Sequence, residues 1–242
     1  MAEWLFDLGN TRLKCAPLEQ GRVGEGFAVA HDGRALPDDW THALPARIDS
    51  AVLASVAPAP LRASLLAALG GRCGRVSRVH TEPGFAGMRI AYAHPERLGV
   101  DRFLALLGAH ARGPGPWLLV GVGTALTIDL LDRDGHHRGG RIAPSPALMR
   151  ESLHRRAPHL PLQGGRHVAF ADDTDDALAS GCEGAACALV EASRRDAMQL
   201  VGASPTVLVH GGGAAAVLAG IEGALAAPTL VLEGMARWAR GQ

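Results

Sequence analysis

Short apolar runs, set apart by glycine, proline and charged residues, recur along the whole chain. Residues 4–17 read as an apolar strand, a turn Asp7-Leu8-Gly9-Asn10-Thr11, and a second strand. Strand-length apolar runs joined by turn residues are the hairpin signature. A third extended segment is expected near residues 27–30, a buried-type strand at 51–56 and another strand at 76–80. Residues 61–69 predict an Ala- and Leu-rich helix that stops at Gly70-Gly71. Residues 100–110 predict a second helix, broken by Gly113-Pro114-Gly115-Pro116, where a domain boundary is expected. Beyond the break, residues 118–131 again read strand, turn, strand, now around Gly121-Val122-Gly123-Thr124-Ala125, with an extended segment at 138–143. Residues 146–155 and 173–200 are helical in pattern. Residues 206–210 form a strand that runs into Gly211-Gly212-Gly213 and an Ala-rich helix, and residues 229–240 predict a closing helix.

The two halves open alike. A shift of 114 positions lays Gly9 on Gly123, Asn10 on Thr124, Gly21 on Gly135 and Gly26 on Gly140. The expectation is an α/β protein of two similar domains, 1–113 and 114–242, each opening with a three-strand meander, with an inter-domain cleft.

Composition narrows the function. The 242 residues are 48% apolar, enough for a substantial core. The formal net charge is zero, which argues against nucleic acid or an anionic membrane as the main partner. The longest apolar runs are far shorter than a bilayer requires. Glu3 and Asp7 in the opening segment speak against a signal peptide. Cys15, Cys73, Cys182 and Cys187 lack Cys-x-x-Cys spacing and read as reduced packing thiols of a cytoplasmic protein. The eleven histidines include no His-Glu-x-x-His, and His136-His137 falls in a Gly-flanked turn, so these read as surface or loop residues.

The chain holds one lysine, Lys14, one asparagine, Asn10, and one tyrosine, Tyr92. Arginine carries the positive charge elsewhere, so a retained lysine marks a place where a compact ammonium suits better than a flat fork. A glycine turn between antiparallel strands can offer successive N–H groups as an anion nest. Asp7 at its entrance can hold magnesium, directly or through water. Asn10 and Thr11 can donate to phosphate oxygens, and Lys14 can neutralise charge. Gly123-Thr124 supplies a second such turn. The plain alternative is a pair of ordinary hairpins. Other nucleotide motifs fail: Lys14 does not follow Gly-x-x-x-x-Gly, and Gly121-x-Gly123 leads into a strand pattern rather than a helix. Gly99-Val100-Asp101-Arg102 puts an acid at a helix start, where Asp101 is either a cap or a base for a substrate alcohol. Arg102 can grip a carboxylate fork to fork.

Taken together these residues resemble type III pantothenate kinases, of the actin, sugar kinase and Hsp70 superfold with ribonuclease H-like domains. The resemblance runs through Asp7-x-Gly9-Asn10-Thr11-x-x-Lys14, Tyr92-x-x-Pro95-x-x-Leu98-Gly99-x-Asp101-Arg102 and Gly123-Thr124-Ala125-x-Thr127-x-Asp129. It continues through Gly139-Gly140-x-Ile142-x-Pro144, Met149-x-x-x-Leu153, Leu160-Pro161 and Thr174-x-x-Ala177-x-x-Ser180-Gly181. It implies ATP-dependent phosphorylation of pantothenate at the first step of coenzyme A synthesis, by a cytoplasmic homodimer. It assigns Asp101 as base, the run Asp7, Leu8, Gly9, Asn10, Thr11, Arg12, Leu13, Lys14 with Thr124 to MgATP, and Tyr92, Gly99, Val100, Asp101, Arg102 and Thr174 to pantothenate. The alternatives are a non-catalytic nucleotide- or pantothenate-binding regulator on the same fold, or a kinase for another small alcohol. Two departures stand out. Gly121 sits where the family's second turn usually begins with an aspartate that binds a monovalent cation, K+ or NH4+, so little dependence on that cation is expected. Ser145 stands after Pro144 in place of the usual glycine, which reads as a tolerated loop change.

Overall fold

A computed structural model describes residues 2–241, which divide into two compact units. The first combines the residues through Gly113 with those from Thr229 on, and the second is Pro114–Pro228. The boundary after Gly113 falls in the Gly-Pro break, but the expected extent of the second domain to residue 242 is corrected. The closing helix belongs to the first unit, because its apolar stripe (Leu230, Val231, Met235, Trp238) is buried there.

The first unit is built on strand β1 (Glu3–Leu8), in which Leu5, Phe6 and Leu8 are fully buried. It lies at the sheet centre, antiparallel to β2 (Arg12–Glu19) and parallel to β5 (Ile48–Ser55). The short β3 (Arg22–Val23) and β4 (Phe27–Ala30) both pair with β2, and β6 (Cys73–Arg78) extends the other edge beside β5. Strand alternation sends Phe6, Leu8, Leu13 and Cys15 to one face, where Trp40, Leu44 and helix α1 (Ala59–Gly70) close the core. It sends Leu5, Asp7, Lys14 and Ala16 to the other, against α2 (Val100–Ala111) and α6 (Leu230–Ala239). A small hairpin of β7 (Gly84–Phe85) and β8 (Met88–Arg89) was not foreseen. Two-residue strands carry too little alternation to stand out.

Helices α2 and α6 meet backbone to backbone. A Cβ at Gly234 would run into the Leu104 carbonyl, and one at Gly108 into the Leu230 carbonyl. At the C-terminal end of α2, Arg112 Nε and Nη2 each donate to Glu233 at 2.8 Å, a bidentate pair.

The second unit repeats the plan with β9 (Trp117–Val122) at the centre, β10 (Ala125–Leu131) and β11 (His137–Pro144) antiparallel on one side, and β12 (Thr206–His210) and β13 (Leu225–Ala226) parallel on the other. The order β11-β10-β9-β12-β13 matches β4-β2-β1-β5-β6 strand for strand. Gly21 and Gly135, at the ends of the second strands, share a left-handed φ of 75° and 78°. Helix α3 (Pro146–Arg156) follows β11, and the long α4 (Thr174–Val201) covers the core of Val120, Ile128, Val190 and Val209. The Ala-rich helix expected after the triple glycine is a single turn, α5 (Ala215–Leu218). Gly211 and Gly213 pack against Val122, and the segment folds back at once. His137 corrects the reading of His136-His137 as loop residues: it lies in β11 with its side chain fully buried, Nε2 3.0 Å from Asp129 Oδ1. Among the described residues no helix is long and apolar enough to cross a membrane.

The glycine crossing is testable. Gly234→Ala forces α2 and α6 apart and is expected to cost about 1–3 kcal/mol of stability, as overpacking does. Gly70→Ala, at a helix end with open space around it, is expected to be neutral or slightly stabilising. Thermal unfolding of both variants checks the contrast.

Candidate active site

The pairing of β1 with β2 sets Asp7 directly opposite Lys14. Opposed residues of an antiparallel pair point to the same face, here the one covered by α2. Asp7 is only 8% exposed. Burial raises its pKa from 3.8 to about 6; the Lys14 charge pulls it down and the Asp101 charge pushes it up again. Asp7, Lys14 and Asp101 therefore act on one another as one electrostatic cluster.

The approach to α2 shapes the second part of the site. Thr81 Oγ1 donates to the Leu98 carbonyl at 2.8 Å, and Gly99 then caps the helix without a side chain. Asp101 Oδ1 accepts the Arg102 N–H at 2.9 Å and folds back to 2.6 Å from where a Cβ on residue 99 would lie. Gly99 is thus required by the carboxylate above it, and Val100 begins the helix half-buried. Gly99, and not Asp101, holds the cap position; Asp101 lies inside the first turn, where a helix favours negative charge. Arg102 is 7% exposed, donates from Nη1 to the Tyr92 hydroxyl at 3.2 Å and stacks 5.8 Å from that ring's centroid. The motif Tyr92 to Arg102 is one physical cluster.

The two turns are similar but unequal. Leu8 and Leu13 flank the first, the Gly9 N–H donates to the Arg12 carbonyl at 3.0 Å, and Asn10, Thr11 and Arg12 stand exposed. Val122 and Leu126 flank the second, the Gly123 N–H donates to the Ala125 carbonyl at 2.9 Å, and Thr124 is exposed at its tip. The second turn is one residue shorter. The repeat shift of 114 therefore slips across it, and the counterpart of Lys14, opposite the counterpart of Asp7, is Thr127 opposite Gly121. The longer connection at 132–136 restores the count at Gly135.

A side chain at Gly121 would meet Thr127 Oγ1 at 2.6 Å and the His210 ring at 3.0 Å. The position offers a cation only backbone, and Asp129 is engaged with His137. Thr174 lies in the second unit, exposed at the start of α4, where Leu160, Ala171 and Asp172 line an open pocket of about 450 Å³ with it. Asp132, Asp134 and His136 cluster after β10, but Asp132 Oδ1 already accepts the N–H groups of residues 134 and 136.

His31, which no motif contains, and Ser145, expected to be only a tolerated loop change, both touch the turns. His31 Nε2 lies 3.2 Å from the Gly9 carbonyl, and Ser145, 1% exposed, donates to the Thr124 carbonyl at 3.0 Å.

The Asp7 environment predicts a pH signature. The folded carboxyl holds its proton to about pH 6 rather than 3.8. The cost of ionising it is absent below 3.8, grows across that window and is complete above pH 6. Asp7→Asn removes the cost, so without nucleotide the variant should be more stable than the natural protein at pH 8 by about 1–3 kcal/mol. The gain should vanish toward pH 4. Thermal unfolding across pH measures it, and no gain at pH 8 would contradict the buried ionisation.

The family model for type III pantothenate kinase matches residues 4–196. A type III pantothenate kinase from Stenotrophomonas maltophilia (strain K279a) is 54% identical over 239 residues, covering 99% of this chain and 98% of that one. Among solved structures, a Baf family protein from Campylobacter jejuni superposes with a TM-score of 0.62 at 19% identity, over 96% of this chain and 94% of the other. Ta0583, an archaeal actin homolog, superposes with a TM-score of 0.54 at 11% identity over the whole of both chains. Such low identities speak for the fold alone, a two-domain actin-like α/β fold. The family match and the 54% relative carry the rest: the chain belongs to the type III pantothenate kinases, which phosphorylate pantothenate in coenzyme A biosynthesis.

Proposed function

We propose that Asp101 takes the proton of the pantothenate hydroxyl as its oxygen bonds to the γ-phosphorus of ATP and ADP leaves. The observation that carries this reading is the cluster of Asp7, Lys14 and Asp101 on one face of the first unit, continuous with Arg102 and Tyr92. Lys14 answers negative charge on the transferring phosphoryl, and positioning with charge neutralisation accounts for most of such catalysis. The turn Asp7 to Lys14, including Leu8, Gly9, Asn10, Thr11, Arg12 and Leu13, binds the nucleotide phosphates, and Thr124 contributes from its own turn. Arg102 and Tyr92, with Gly99 and Val100 shaping the backbone, bind pantothenate, whose carboxylate suits the guanidinium.

Magnesium fits this donor set. A carboxylate oxygen is the kind of ligand magnesium takes, so Asp7 would hold an ion brought with ATP, directly or through water, and the ion would offset phosphate charge. A monovalent cation finds no carboxylate at Gly121, and activity is expected to depend little on K+ or NH4+.

The chain acts as a homodimer, with Thr174 completing the pantothenate pocket of the neighbouring protomer. Support comes from apolar side chains left exposed on the second unit, including Phe170, fully exposed, and Ile142. The setting is cytoplasmic, in keeping with four free thiols.

Asp101→Asn is expected to keep the fold and lower pantothenate-dependent ADP release roughly 100- to 10,000-fold, as loss of a general base does. Turnover near that of the natural protein would remove Asp101 from the role. The same assay in a large-organic-cation buffer, with potassium and ammonium titrated in, is expected to show weak activation, and tight strong activation would place a cation site elsewhere. Sedimentation is expected to show a dimer at assay concentration, with Thr174→Ala raising the pantothenate KM. An active monomer would contradict the shared pocket.

A further inference from the structure

The third meander strand of each unit ends beside the turn of its own first hairpin. In the first unit Ala30, the last residue of β4, pairs with Arg12, the first residue of β2 after the turn. In the second, Pro144, the last residue of β11, pairs with Ala125, the first residue of β10 after its turn. The next residue in each case is therefore the same topological position, and it is His31 in one unit and Ser145 in the other.

Both side chains reach back to a turn carbonyl. The Gly33 N–H donates to His31 Nδ1 at 3.1 Å, so Nδ1 is the acceptor of a neutral ring and the proton sits on Nε2. That N–H donates to the Gly9 carbonyl at 3.2 Å, while the His31 backbone N–H donates to the Thr11 carbonyl at 3.1 Å. The Ser145 hydroxyl donates to the Thr124 carbonyl at 3.0 Å and accepts the Leu148 N–H at 3.3 Å, capping α3. A trans peptide carries its C=O and N–H on opposite edges of one plane. Holding the carbonyl of Gly9 fixes the Gly9–Asn10 plane, and holding that of Thr124 fixes the Thr124–Ala125 plane. The first plane carries the Asn10 N–H and the second the Ala125 N–H, so the two braces orient one backbone donor in each turn.

We propose that His31 and Ser145 are equivalent positioning residues, each holding one turn in the form that receives nucleotide phosphate. The proposal rests on the reading of the two turns as phosphate turns. It makes Ser145 more than a tolerated replacement for glycine: the hydroxyl supplies a brace that glycine lacks.

The test is equilibrium binding of MgATP to full-length variants, followed by steady-state kinetics. His31→Ala and Ser145→Ala are each expected to weaken MgATP binding about 3- to 10-fold, the size of one lost orienting hydrogen bond. The pantothenate KM should stay within about 2-fold. His31→Gln keeps an N–H at the Nε2 position and Ser145→Thr keeps the hydroxyl, so both should recover the affinity. Thermal unfolding separates the lost helix cap in Ser145→Ala from the brace. His31 caps no helix, so His31→Ala tests the brace without that complication. Unchanged MgATP affinity in both alanine variants would overturn the proposal, as would weakening that the conservative variants do not recover. Because binding is read without turnover, a natural protein that binds MgATP yet releases no pantothenate-dependent ADP would refute the reaction scheme while leaving the brace measurable.

Discussion

A carboxylate buried at the end of a central strand is the constraint around which the first unit is arranged. Asp7 is flanked by strands on both sides and covered by a helix, where an unanswered charge is costly. Strand alternation gives it Lys14 directly across the ladder, on the same face. A lysine satisfies this geometry better than an arginine because its charge is compact and sits at the end of a flexible stem. The Asp101 charge acts on Asp7 as well, and pushes its proton affinity up again.

That cluster depends in turn on packing some distance away. Asp101 lies in the first turn of α2, and α2 lies where α6 lets it. The two helices touch through glycines whose missing side chains allow carbonyl-to-backbone contact, and Arg112 with Glu233 pins their far ends. Residues with no chemistry of their own thus set the position of the proposed base.

Much of this was legible in the chain itself, and the gaps have physical causes. The meanders, the strand at 206–210 and the long helix at the second unit's core follow from local periodicity and punctuation, so they were readable. The first glycine turn and the Tyr92 to Arg102 segment stood out because they hold residue types the chain uses nowhere else. The home of the closing helix was not readable, because it depends on which distant apolar surface its stripe meets. His137 looked like a loop residue because it adjoins a glycine turn; only its opposition to Asp129 across β10 and β11 explains its burial. His31 was one histidine among eleven, and nothing local marks a side chain whose partner is a backbone carbonyl twenty-two residues earlier. The one-residue difference between the turns hid within an otherwise good repeat alignment.

The return of α6 to the first unit also bears on how the protein is made. The second unit is continuous in sequence, so it can fold as soon as residues 114–228 have left the ribosome. The first cannot be completed so early: α6, which packs with α2 over the same face of the sheet, is translated more than a hundred residues later. During synthesis the nascent first unit would expose apolar surface for as long as the second takes to emerge, the condition under which chaperones engage. The packing of α6 on α2 is thus the last part of the first unit to be assembled, and a ribosome stalled between residue 228 and the end of α6 would hold a complete second unit and a first unit still missing one of its covering helices.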